Sequence, residues 1–236
     1  MTPVGAQLRA LFSSPGRVLL VVATVLLGAI TAFVMALEVP AGPGRLAQFV
    51  SATQLVMSVF VPFATARIAH AVRAAGRGAA SVPSMLGAAG IFAVAMGAFG
   101  LVLSAAMLAV PSGAKVADFP WPEFPALVAP SLLVQLIPAW VGTGAGLLIE
   151  NIWVARLLTV VAPVGVNAGL NRLGLFEATE WVTPLGAAIH LFAESMGPIR
   201  VLQLAVIFGL WVILPNGLGW RSVASRPPLR PAGQRG

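Results

Sequence analysis

The chain has no cysteine, and charge is scarce: 9% of its 236 residues are charged while 58% are apolar. Without cysteine there is neither a disulfide frame nor a thiolate metal site, and the redox compartment stays open. A soluble domain carries about a quarter of its residues as charges, so this composition excludes a soluble fold. Also missing are the constellations that membrane-embedded chemistry uses. There are no paired carboxylates, no H-E-x-x-H run, no serine in a glycine-rich frame with an intramembrane histidine, and no acid cluster able to hold a metal. No catalytic residue, metal or cofactor is therefore expected.

What is present is a series of charge-free runs. Val18 to Leu37 is twenty residues without a charge, and a helix of that length spans about 30 Å, the thickness of a hydrocarbon core. The other runs are Leu46 to Ala66, Gly78 to Ala114, Phe124 to Ile149, Leu157 to Asn171 and Val201 to Trp220. Pro83 and Pro111 bracket the third, leaving enough for one tilted helix but not for two and a turn. The fifth has only fifteen residues. It reads as a re-entrant segment, or as a span starting near Ile152 with Arg156 snorkelling to the interface. The first run is too long for a signal-peptide core and more spans follow, so it reads as a retained span.

Six spans put both ends of the chain on one side. If that side is inner, it holds Arg9, Arg17, Arg67, Arg73, Arg77, Arg156, Arg221, Arg226, Arg230 and Arg235, ten of the fourteen basic residues. Arg45, Lys115, Arg172 and Arg200 remain outside, with six of the seven acids. Basic residues favour the cytoplasmic side, so a multi-pass protein of the cell (inner) membrane with both termini cytoplasmic is expected. The net charge of +7 is accounted for by orientation and by contact with membrane lipid, not by nucleic acid. His70 then falls in an inner loop and His190 in an outer one, and the two cannot share a site.

The expected architecture is all-α and integral to the membrane. Residues 1–17 form an interfacial helix, with Val4, Leu8, Leu11 and Phe12 at helical spacing. Residues 18–220 form the six-helix domain. Residues 221–236 are a basic, proline-rich cytoplasmic tail that reads as disordered. Between the fifth and sixth spans, Pro184 to Glu194 is expected to dip into the outer membrane surface as a re-entrant half-helix. Gly142 and Gly146 form G-x-x-x-G inside the fourth span, a spacing that lets a neighbouring backbone approach closely. The surrounding glycine run lacks the pattern of a phosphate loop. Ala89, Ala93 and Gly97 make a similar stripe in the third span. Pro62, Pro138 and Pro163 each fall inside a span and predict kinks. Neutral polar residues inside the spans, among them Gln54, Ser58, Gln135 and Asn167, are either interhelical glue or contacts along a pathway. No ionisable group sits where a coupling ion would need one.

Six spans in this length, an interfacial helix first, a basic inner loop after the second span and a long segment before the sixth resemble the permeases of ABC type-two exporters. The closest local likeness is WVTPLGAAIHLF (residues 181–192), followed by a last span ending WVILPNGLGWRSV. The loop ARIAHAVRAAGRGAASVPSM departs from the family by lacking an acid and a following arginine. The resemblance implies a non-catalytic subunit that exports a hydrophobic or amphipathic substrate, such as a drug, antibiotic, lipid or peptide. Its implied partners are a separate nucleotide-binding ATPase subunit and a second permease subunit, identical or paralogous. It also implies an ATPase-coupling loop with Arg67, His70, Arg73 and Arg77, and an outer gate with Trp181, Pro184, Leu185 and Phe192. Leu185, Ala188, Ile189 and Phe192 are expected to form the buried face of that gate. The alternative is a six-span facilitator or scaffold subunit without an ATPase partner.

Overall fold

The computed structural model describes residues 3–13, 15–38, 45–75, 81–109, 121–193 and 197–225, and among these every regular element is helical. Among the described residues, six helices are long and apolar enough to cross a membrane. In chain order, α1 is Pro3–Phe12, α2 Pro15–Glu38, α3 Arg45–Ser58, α4 Val61–Ala74 and α5 Val82–Ala109. A 3-10 turn over Trp121–Leu127 leads into α6, Val128–Leu148. Then come α7 Ile152–Arg172, α8 Phe176–Val182, α9 Pro184–Ala193, α10 Pro198–Ile207 and, after a π-helical stretch Phe208–Ile213, α11 Leu214–Ala224. The spans are α2, α3 with α4, α5, α6, α7, and α10 with α11.

The short fifth run is a full span of 21 residues. Asn151 caps it by accepting from the backbone N–H groups of Trp153 (2.9 Å) and Val154 (3.3 Å), which satisfies donors that a helix start leaves open. Arg156 then lies in the second turn with its guanidinium 5.1 Å from the centre of the Trp153 ring. The second span breaks at Val59 and Phe60, just before Pro62. It continues helically to Ala74, so Arg67, His70 and Arg73, expected in a loop, stand on the last turns of a helix. Arg77, Glu194, Lys115 and the tail beyond Ser225 lie outside the described residues.

The second, third and fourth spans form the centre, and the first, fifth and sixth lie around them with far more of their surface uncovered. The tightest seam joins α4 to α6. A Cβ on Gly142 would fall on the backbone of Pro62, and one on Gly146 on the carbonyl of Ala66. The G-x-x-x-G spacing therefore lets two backbones touch, as expected. Gly97 does the same for α5 and α6, with the Ser131 carbonyl 3.0 Å from where a Cβ would stand. At one end of the bundle, α1 packs on the start of α5, and Leu11, Val72, Val82, Leu147 and Val223 share one apolar cluster. At the other end, α8 and α9 form a helical hairpin over α7, where Ala188, Leu191 and Phe192 join Phe49, Leu101 and Val134.

Candidate functional site

Four prolines from four elements meet at one cavity. Pro62 at the start of α4, Pro138 in α6, Pro163 in α7 and Pro184 at the head of α9 all line a partly open space of 120 Å³. Proline has no N–H, so it leaves the carbonyl four residues earlier in a helix without its usual partner. For Pro138 and Pro163, inside their helices, those carbonyls belong to Val134 and Thr159, and both residues also line the cavity; Pro62 and Pro184 instead stand in the first turn of their helices, beside breaks in the chain's helical run. The rest of the wall is almost wholly aliphatic, with Leu55, Ile137, Val141 and Leu185 prominent. The two hydroxyls are occupied within their own helices: Ser58 donates to the Leu55 carbonyl (2.7 Å) and Thr159 to that of Arg156 (2.7 Å). Such a space suits an uncharged, apolar group, and at most a donor seeking a backbone carbonyl.

The expected polar residues divide. Ser58 is at the cavity. Gln54 and Gln135 are fully buried and bond each other: Gln135 Nε2 donates to the Gln54 carbonyl (2.9 Å) and to Gln54 Oε1 (2.8 Å), while Gln54 Nε2 donates to the Gly97 carbonyl (2.8 Å). That is the glue reading, and it ties α3, α5 and α6 together. The Thr183 hydroxyl donates to the Thr179 carbonyl (2.8 Å), accepts from the Gly186 N–H (3.0 Å) and so fixes the corner between α8 and α9, with Asn167 Oδ1 3.2 Å from it.

Of the expected gate, Pro184 and Leu185 reach the cavity, Phe192 is buried in the hairpin-end cluster, and Trp181 is half-buried. The buried face of α9 includes Ala187, Ala188, Leu191 and Phe192, whereas Leu185 is half-buried. Ala188 and Phe192 are thus buried as expected, Leu185 lines the cavity instead, and the side chain of Ile189 lies outside what is described.

Two ionic groups mark the ends of the bundle. At the α1 end, Arg73 is 6% exposed and its Nη2 donates to Glu150 Oε1 at 2.7 Å, while Glu150 is 84% exposed. His70 and Arg67, about one and two turns earlier, are half-buried. Sequence reasoning missed the other group. Glu180 on α8 accepts from Arg200 Nη1 (2.6 Å) and lies 3.1 Å from His190 Nε2, and Arg200 also donates to Gln203 Oε1 (2.7 Å). The Arg200 hydrogen bond holds the Glu180 carboxyl below its ordinary range; burial opposes this and the His190 charge adds to it. No signal in the sequence pairs them, since His190 and Arg200 follow Glu180 by ten and twenty residues and the nearest charge to Glu180 is another acid, Glu177. Among the described residues no three acids or histidines are grouped to hold a metal ion. Comparison with family models, with curated proteins and with solved structures returns no match to this chain.

Proposed function

We propose that this chain is the permease subunit of an ATP-driven exporter of the ABC type-two kind, moving a hydrophobic or amphipathic substrate out across the cell membrane. ATP hydrolysis would be on a partner chain and a second permease subunit would complete the pathway. The observation that carries the reading is the proline cavity. Helices that must change shape need places where the backbone ladder is already interrupted, and here four such places surround one apolar space. The α9 segment, with Pro184 and Leu185 on that space, is the gate. The end of α4 that carries Arg67 and His70 is the coupling surface. Arg73 is already paired with Glu150 and serves to tie α4 to the turn before α7.

The test is purification of the tagged chain from its native host, followed by reconstitution in vesicles. An ATPase should copurify with the wild type and be lost with Arg67→Glu. Ala188→Trp, which fills the cavity wall, should stop export yet retain the ATPase. Flux of an apolar dye without ATP and without a copurifying ATPase would overturn the reading in favour of a facilitator.

A further inference from the structure

A second recess, of 820 Å³, runs between α5 and the sixth span. Its walls follow α5 from Val82 to Val94 and the sixth span from Phe208 to Trp220. Thirteen residues of helix on each wall, twelve rises of about 1.5 Å, make about 18 Å, close to half of a roughly 30 Å hydrocarbon core. The groove therefore has the length of one leaflet. It starts at the α1 end of the bundle, where Trp220 lies at its rim. It reaches the middle, where Phe208 meets the Trp140 ring edge to face at 5.4 Å. Its volume is several times the roughly 150 Å³ of an apolar cavity that takes benzene.

The wall offers nothing to a polar guest. The Trp140 indole N–H donates to the Leu86 carbonyl (3.2 Å), and the Asn216 amide donates to the carbonyls of Trp140 (2.8 Å) and Val212 (2.9 Å). The Asn216 oxygen lies 2.8 Å from the Thr143 hydroxyl. At the rim the chemistry changes: Trp220 is exposed, and so is Arg221, the next residue. An apolar groove of aliphatic and aromatic side chains, one leaflet long and with a cation where headgroups begin, matches a lipid whose headgroup is net negative. We propose that this groove holds one acyl chain of an anionic phospholipid from the leaflet on the α1 side, with its phosphate paired to Arg221. The proposal does not depend on the transport reading.

Gly217 gives the means of testing it. It lines the groove, and a Cβ there would meet nothing within 4 Å, so a larger side chain fills the groove and leaves the helix packing alone. The full chain in detergent is mixed with phosphatidylglycerol or phosphatidylcholine and examined by native mass spectrometry. The wild type and Gly217→Ala should keep one phosphatidylglycerol per chain, and Gly217→Leu should lose it while unfolding at no lower temperature than wild type. Arg221→Gln should reduce the preference for phosphatidylglycerol over phosphatidylcholine about fivefold. Equal retention of the two lipids by the wild type, or undiminished retention by Gly217→Leu, would overturn the proposal. A dimer that Gly217→Leu dissociates would assign the groove to a second copy and overturn it as well.

Discussion

Single residues decide how closely the central helices approach. Gly142 and Gly146 face the α4 backbone itself, which cannot move aside as a side chain would. Gly142→Ala and Gly146→Ala should each lower stability by about 1–3 kcal/mol or more, as overpacking does. Gly165 and Gly169 have the same spacing on α7, but a Cβ at either meets nothing within 4 Å. Alanine there should be neutral or stabilise by up to about 1 kcal/mol through the helix preference. Thermal unfolding in one detergent separates the two pairs, and equal effects would contradict the seam between α4 and α6. The glutamine pair is a second test. Interhelical hydrogen bonds in membranes contribute about 0.6 kcal/mol on average and at most about 1.7. Gln135→Leu should therefore cost about 1 kcal/mol in the same assay without altering transport; abolished transport at unchanged stability would return Gln135 to the pathway.

At the scale of elements, the α8–α9 hairpin is held by charge at one point and by apolar packing at another. Glu180 is kept below the ordinary carboxylate range by Arg200, so its contribution is fully present above that range. It is lost as pH falls through the lowered value. Hydrogen-exchange protection in residues 176–193, taken relative to the intrinsic exchange rate at each pH, should fall on acidification in the wild type. It should be low and nearly independent of pH in Glu180→Gln over the same interval; an unchanged wild-type protection profile would show that the ionic cluster does not hold the hairpin. Packing should weigh differently along α9. Phe192 is buried, and Phe192→Ala should cost about 3–5 kcal/mol. Leu185 is half-buried on the cavity, so Leu185→Ala should cost less and enlarge the space. If α9 is the gate, both substitutions should raise basal ATPase activity or leak in the reconstituted complex, whereas a static cap would lose stability alone.

For the whole molecule, orientation is the property to test first. The chain has no cysteine, so single cysteines report position without interference. Ala75, just beyond α4, and Leu173, 74% exposed beyond α7, lie at opposite ends of the bundle. Basic residues concentrate at the Ala75 end, which should be cytoplasmic. An impermeant thiol reagent added outside cells should label Leu173→Cys and spare Ala75→Cys; the reverse would invert the topology.

Six spans, their approximate limits and the close contact at Gly142 and Gly146 were determined by the sequence alone. Each follows from a local rule: run length against bilayer thickness, and the absence of a side chain where a backbone must approach. The sequence also located the prolines one by one. Only the tertiary structure decided that Pro62, Pro138, Pro163 and Pro184 share a cavity, that Gln54 is satisfied by Gln135, and that Glu180 pairs with Arg200 and His190. These are relations between helices, set by the rotation of each about its axis. In a bilayer, where nearly every face is apolar, hydrophobic periodicity does not fix that rotation. The half-buried Leu185 and the continuation of α4 through Arg73 have the same origin, since each depends on which neighbour covers the residue rather than on the residue itself.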